Sequence, residues 1–295
     1  MRLSVPLGLL CAALLAATPA PAQDRQPEPE ASPDVVVTGQ RPREEQVRDF
    51  VKALTPPSST GSIPRFIDEV CPVAVGLAPA PGERVAARLR EVARAIGLPV
   101  AGAKCQPNAF VIVTRDKRAF IETLAARKAT SFGVMTHQQI RRLARSKGPA
   151  AAWHLTGPVD ESGAPLLYDE YMGAYRNDSI SGASRIRTSG GRGFDATAVV
   201  VETGALEGLT ATQLADYAAM RLFAKVNPAR LPTPGPRTIL TVLEAPMGTP
   251  VPVTLTEWDL GFLRGLYGSS TGLYVNAQRS EIVREVSKTV GATED

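Results

Sequence analysis

The sequence predicts one folded domain of mixed α and β structure (α+β), with a βαβα first half and a helical second half. Two patterns predict this class. Short β-type runs alternate with amphipathic helical segments between residues 70 and 125, and three capping boxes each open an apolar-patterned helix further along the chain. The composition, 44% hydrophobic and 21% charged, is ordinary for a globular protein. We expect the domain to span residues 63–291.

Apolar periodicity predicts the βαβα half. In its first helix, apolar residues recur every three or four positions and share one face: Val85, Leu89, Val92 and Ile96. Asp116 is a typical N-cap residue for the second helix. That helix turns four apolar residues inward: Phe120, Ile121, Leu124 and Ala125. The predicted elements are two strands and two helices: 70–77, 82–96, 110–114 and the helix capped by Asp116.

The second half begins its helices at capping boxes, in which a Thr side chain and a polar residue three positions later satisfy each other's backbone N–H groups. The pairs are Thr136 with Gln139, Thr210 with Gln213 and Thr256 with Asp259. The helices that follow, and a last one, are predicted at 140–144, 214–226, 260–267 and 280–290. Strands are predicted at 150–155 and 237–243, with hairpin arms at 186–188 and 197–202 around Gly190-Gly191.

The N-terminus has the pattern of a secretory signal peptide. Arg2 precedes an apolar stretch from Leu3 to Ala17, and Ala20-Pro21-Ala22 is an A-x-A cleavage site. We expect cleavage near Ala22/Gln23 and a mature protein in the periplasm or outside the cell. Later segments are too short for a transmembrane helix. Residues 23–62 are predicted to be a disordered arm and linker with a β-prone segment at 35–40, although residues 43–54 carry helical signals.

Two cysteines remain after signal cleavage, Cys71 and Cys105. An even count in an oxidising compartment predicts a disulfide. Each cysteine lies near the start of a predicted strand, and the two strands could be neighbours in one sheet. The alternative is a pair of free thiols.

Most familiar catalytic patterns are missing from the sequence. Gly268 to Gly272 fits G-x-S-x-G, but a capped helix precedes it where a nucleophile elbow needs a strand, so a helix-ending turn is the better interpretation. The histidines, His137 and His154, lie too far apart for a helical zinc pair, which leaves only a site assembled by tertiary folding. We therefore assign no catalytic, metal or cofactor-binding residue.

Surface chemistry leaves the partner open. A net charge of +4 is too small to predict a nucleic-acid partner. Two basic clusters could face solvent or contact an anionic envelope component: Arg141, Arg142, Arg145 and Lys147, and Arg185, Arg187 and Arg192. The spacing of Tyr168, Tyr171 and Tyr175 would align them on a helix, where a place in the core is expected more often than a ligand platform.

Three stretches carry a resemblance to known families. Residues 210–224 (TATQLADYAAMRLFA) and 254–267 (TLTEWDLGFLRGLY), with CQPNAFVIVT at 105–114, resemble a family of exported proteobacterial proteins of unknown function, and the C-terminal half resembles a zincin-like fold. In a zincin the helix near Thr210 would carry the metal ligands. Here it holds Gln213 and Asp216 instead, which implies a degenerate site without HExxH.

The short run DVVVTGQR at 34–41 resembles the energy-coupling segment of TonB-dependent receptors. A β-forming run on a tether suits addition to the edge of a partner's sheet. The sequence thus favours an exported protein that acts by binding. The alternatives are a hydrolase with a divergent zincin-like site and an envelope accessory protein that engages a TonB-type partner. Asp216, Gln213, His154 and His137 are the weak candidates for a polar cleft.

Overall fold

The computed structural model describes residues 43–57, 61–177, 188–246 and 248–292. The predicted signal peptide, the β-prone segment at 35–40, and Arg185 and Arg187 lie outside these residues. Within the described ranges, no helix has both the length and the apolar character needed to cross a membrane.

The helices and strands alternate as a mixed α/β fold requires, which confirms the predicted class. The helices are α1 Arg43–Leu54, α2 Pro79–Ala95, α3 Lys117–Arg127, α4 His137–Ala144, α5 Ala211–Leu222, α6 Glu257–Gly268 and α7 Val275–Gly291. The strands are β1 Arg65–Phe66, β2 Pro72–Val75, β3 Ala109–Thr114, β4 Ala150–Asp160, β5 Leu167–Asp169, β6 Ala174–Arg176 and β7 Gly190–Glu202.

Strand β7 is the centre of the main sheet. One edge of β7 pairs with β4 in antiparallel fashion, from Ala150 opposite Val201 to Asp160 opposite Gly190. The other edge pairs in parallel first with β1 and then with β3, and β2 pairs in parallel with β3. Strands β5 and β6 form a separate antiparallel hairpin.

Helices cover both faces of the sheet. Because side chains alternate along a strand, Val199 and Val201 of β7 face one apolar core and Val200 faces another. The larger core lies against α1, α2, α5, α6 and α7, and the smaller one against α3 and α4. The domain therefore has three layers, with the sheet in the middle.

Helix α1 belongs to the core, although it falls within the stretch that the sequence assigns to arm and linker. Val47, Phe50 and Leu54 recur on one face of the helix and are buried. The ring of Phe50 meets the rings of Trp258 and Phe262 edge-on, with centroids 5.4 and 6.3 Å apart. The described core thus includes α1 and does not start near Ile63, because the apolar face of α1 is covered by α6 and α7.

Several local predictions are confirmed. Cys71 and Cys105 form a disulfide, with Cα atoms 6.0 Å apart. All three capping boxes are formed, and the Asp116 side chain accepts a hydrogen bond from the Ala119 N–H. Gly268 is the last residue of α6, so the G-x-S-x-G motif is a helix-ending turn.

Three predicted elements are wrong. Gly190 and Gly191 lie in β7 and not in a hairpin turn, because they pair with Asp160 and Val159 of β4. Glycine is needed there, since a Cβ would collide with Val159 at one position and with Ser62 at the other. Residues 237–243 contain a 3₁₀ helix, Ile239–Thr241, whose N-cap Thr238 accepts from the Leu240 N–H. The three spaced tyrosines lie on the β5–β6 hairpin and not on a helix.

Candidate binding surface

The β5–β6 hairpin is an arm that carries its apolar side chains outward. Its turn is closed by Asp169, whose Oδ1 accepts from the Tyr171 and Met172 N–H groups at 2.9 and 3.0 Å. Tyr168 and Tyr175 are directly opposite each other across the strands, and their rings pack edge-on with centroids 5.2 Å apart. The turn and this cross-strand pair hold the arm in one shape.

Exposed apolar surface is concentrated on this arm. Of the eight large hydrophobic residues that are exposed in the described part of the chain, five lie within residues 167–175. Tyr171 is fully exposed at the tip, beside Met172 at 70%, and the others are Leu167, Tyr168 and Tyr175. A contiguous patch of this kind marks an interaction site more often than singly scattered residues do.

A cleft lies at the base of the arm. Its cavity, about 220 Å³, is lined by Tyr175 and Leu166 of the arm, by the β4 end with its turn, and by β7. The apolar walls are Ile67, Pro158, Val159, Pro165, Leu166 and Phe194. Two carboxylates, Asp68 and Asp195, supply the acidic lining.

A β-bulge places Asp195 in the cleft. On β4 Leu155 pairs with Ala196 and Thr156 pairs with Phe194, so Asp195 is the extra residue. The side chain finds room because the neighbouring strand has a glycine: a Cβ at Gly157 would lie 2.9 Å from Asp195 Oδ1. Bulges re-aim a side chain in this way, and they are common beside functional sites.

Among the described residues, none donates a hydrogen bond to the two carboxylates of the cleft. Within the described residues, no hydrogen bond or ion pair joins the side-chain carboxylate of Asp68 or Asp195 to another residue. Partial burial raises the pKa of Asp195, the charge of Arg192 opposes this, and Asp68 adds to it. Arg192 itself donates to Thr156 Oγ1 at 2.8 Å and to the Thr156 carbonyl at 2.6 Å. The cleft therefore offers acceptors to a ligand.

A second cavity, about 370 Å³, adjoins the first and shares Val159 and Leu166 with it. Its other lining residues are Gly61, Ser62, Pro64, Asn177 and the run from Ser189 to Arg192. Asn177, just after the arm, donates to the Ser189 carbonyl at 2.6 Å and so ties the arm to the sheet. The arm is flanked at its base by both cavities.

Two of the weak site candidates, Asp216 and Gln213, are brought together by α5, but they hold a loop in place. Asp216 is fully buried, and its carboxylate accepts from the Arg88 guanidinium at 2.8 and 3.2 Å, from Thr254 Oγ1 at 2.6 Å and from the Leu255 N–H at 2.8 Å. Gln213 completes a capping box and donates to the Pro252 carbonyl at 2.9 Å. These bonds occupy both side chains.

The two histidines lie apart from that pair. His154 is on β4, where its Nε2 lies 3.0 Å from the Arg221 carbonyl at the other end of α5, and its ring is 4.5 Å from that of Phe194. Burial lowers the pKa of His154 to about 3, and the charge of Lys225 contributes. His137 is exposed in the first turn of α4. Among the described residues, no three His, Cys, Asp or Glu side chains are grouped as a metal site requires.

At the edge of the sheet formed by the C-terminal ends of β3 and β7, the Lys117 side chain is fully hydrogen-bonded. Ligands of open α/β sheets often bind in a crevice at this edge. Here Lys117 is buried, and its Nζ donates to the Ser146 carbonyl at 2.6 Å, to Ser146 Oγ at 3.3 Å and to the Gly148 carbonyl at 2.7 Å. The ammonium has three donors and all three are used.

Comparison of the chain with protein-family models, curated proteins and solved structures finds no match. The resemblances to an exported family and to zincins therefore stay predictions. The arm and its cleft are the candidate functional surface on geometry alone.

Proposed function

We propose that this protein acts by binding outside the cytoplasm and that the β5–β6 arm is its recognition element for a protein partner. One observation carries the proposal: five of the eight exposed large hydrophobic residues of the described chain lie on this single hairpin. Exposed apolar side chains concentrated on one element favour a bound partner, because burying them in an interface removes apolar surface from water.

The kinds of residue on the arm favour a protein over a small molecule. Tyr and Met are enriched at the centres of protein interfaces, and a tyrosine covers much area with only two rotatable side-chain bonds. The cavity of about 220 Å³ at the base falls below the usual size of a small-molecule pocket, about 300–1,000 Å³. It has room for one inserted side chain.

The location rests on the signal-peptide pattern of residues 1–22 and on the disulfide. Disulfides persist in oxidising compartments and are rare in the bacterial cytoplasm. The Cys71–Cys105 bond supports an exported protein.

Site-specific photocrosslinking in the native host tests the proposal. A photoreactive phenylalanine analogue is placed at Tyr171 and, as a matched control, at Val134, which is 84% exposed in another part of the surface. We expect a covalent adduct of one defined mass from position 171 and none from position 134. Absence of an adduct at 171, or the same adducts at both positions, would contradict a role for the arm in binding.

A further inference from the structure

We propose that the partner of the arm is a second copy of this chain, and that two copies exchange arms, each placing Tyr171 in the cleft at the base of the other's hairpin. This inference rests on the proposed function, because it names the partner of the same surface.

The first argument is shape. Tyr168 and Tyr175 share one face of the hairpin, Leu167 lies on the opposite face, and Tyr171 and Met172 occupy the tip. A flat surface can cover only one of these sides. The partner must therefore contact the tip as well as one face, and the cleft at the base of the same hairpin has room for one side chain of the tip.

The second argument is chemical complementarity between tip and cleft. The cleft combines apolar walls such as Ile67 and Phe194 with the carboxylates of Asp68 and Asp195, which lack donors. A tyrosine brings an aromatic ring and one O–H donor, which match those two properties. Tyr171 is the fully exposed tyrosine and has a free path to a partner.

The third argument is symmetry. A two-fold dimer uses the same patch on both copies, so a contact from tip to base occurs twice. Two hairpins that lie side by side and antiparallel place each tip at the base of the other, about 10 Å along three strand residues.

The fourth argument is area. Tyr168, Tyr171 and Tyr175 are 55%, 100% and 55% exposed. At about 150–250 Å² for each buried aromatic side chain, they supply roughly 300–500 Å². Leu167, Met172 and the cleft walls bring each copy to the order of 800 Å², the usual size for one side of a stable interface.

Sedimentation equilibrium on the purified protein tests the exchange. We expect a monomer–dimer equilibrium whose Kd rises at least about tenfold in Tyr171→Ala and in Asp195→Ala, and less in Tyr171→Phe, which loses only the hydroxyl. Val134→Ala is the control and keeps the wild-type Kd. Both changed side chains are exposed, so circular dichroism should show an unchanged fold.

Mixing the two weakened variants gives the sharper result. A heterodimer of Tyr171→Ala with Asp195→Ala has one contact in which an intact tip meets an intact cleft. Each variant homodimer has no such contact, because either both tips or both clefts are changed. With one variant fluorescently labelled, we expect the heterodimer to be tighter than either homodimer.

Three outcomes would overturn the exchange: a monomer at every concentration, a dimer that neither variant weakens, or a heterodimer no tighter than the homodimers. A monomer together with a crosslinked adduct of another mass at position 171 would leave the proposed function standing with a different partner.

Discussion

Asp216 shows how a buried carboxylate can be structural. It is fully buried on α5, but Arg88, Thr254 and Leu255 supply four donors, so its charge is compensated. These bonds join α2, α5 and the segment before α6. The resemblance to zincins implies that Asp216 stands where a metal ligand would be. In the structure its carboxylate instead holds these three elements together by hydrogen bonds, which accounts for a buried Asp at this position.

Asp216→Asn should therefore destabilise the protein. The variant keeps the shape but loses the charge that Arg88 pairs with, and hydrogen bonds to charged groups contribute about 1.5–3 kcal/mol. We expect a loss of about 1–3 kcal/mol in the free energy of unfolding, measured by urea denaturation. Glu91→Gln is the control, because the exposed Arg88–Glu91 pair at 3.3 Å should contribute less than about 1 kcal/mol. Equal effects of the two changes would show that Asp216 does not anchor the loop.

His154 makes the stability depend on pH. Its pKa is about 3 in the folded protein, against an ordinary value of 6.5, because burial and Lys225 disfavour the charged ring. Below pH 6.5 the unfolded chain binds a proton that the folded protein does not bind. Its contribution to stability is therefore complete above about pH 6.5 and falls as the pH drops towards 3.

The comparison with His154→Gln isolates this effect. Between pH 7 and pH 5 the wild-type protein should lose about 1–2 kcal/mol more than the variant, because each unit of pKa difference corresponds to about 1.4 kcal/mol. Urea denaturation at several pH values measures it. Parallel curves for the two proteins would mean that the ring stays accessible to protons.

At the scale of elements, the sequence predicted correctly those helices and strands that depend on caps and on apolar periodicity. The capping boxes at Thr136, Thr210 and Thr256 need only four consecutive residues, and all three are formed. The β-strand at Phe110 and the helix capped by Asp116 are likewise set by periodicity and side-chain caps. The caps can be read from a single sequence because their partners lie within one turn of the chain, and the strand can be read because its apolar residues alternate.

The candidate surface could not be predicted in the same way. Tyr168, Tyr171 and Tyr175 fit a helical spacing, but Asp169 closes a turn that contains Tyr171, and Gly173 in the same turn takes a positive φ of 64°. An Asp two residues before the turn's centre was the available sign of a hairpin. Asp195 gave no sign at all, because its exposure depends on a bulge against β4, a long-range pairing.

Long-range partners explain the other errors. Gly190 and Gly191 look like a turn in sequence, yet they allow β7 to pass close to Val159 and Ser62. A glycine pair signals either a turn or a close approach, and only the tertiary partner decides which. The predicted strand at 237–243 failed for a related reason. Asp259 on α6 accepts from Thr238 and from the Ile239 N–H, which fixes a 3₁₀ turn there.

At the scale of the whole molecule, α1 decides where the folded protein begins. The sequence between residues 23 and 62 is rich in polar residues and Pro, and composition alone favours a linker throughout. The structure instead ties the chain down at the C-terminal end of α1. Arg230 Nη1 donates to the Thr55 carbonyl at 2.8 Å, and Arg279 Nε donates to Thr55 Oγ1 at 2.9 Å, so the chain just after α1 is tied to α7 and to the segment after α5.

Truncation on either side of α1 should therefore have opposite results. A chain that begins at Arg41 should melt within about 1–2 °C of the full-length protein, because α1 and its contacts are kept.

A chain that begins at Gly61 loses Val47, Phe50 and Leu54 from the core. Each such side chain contributes about 1.5–3 kcal/mol by burial, a large share of the 5–15 kcal/mol that stabilises a domain. We expect it to melt at least about 10 °C lower and to bind a dye specific for exposed apolar surface, since Phe262 and Trp258 lose their cover. Calorimetry and dye fluorescence measure both effects. If the two truncated chains melt together, α1 is an attached helix and the domain begins near Ile63 after all.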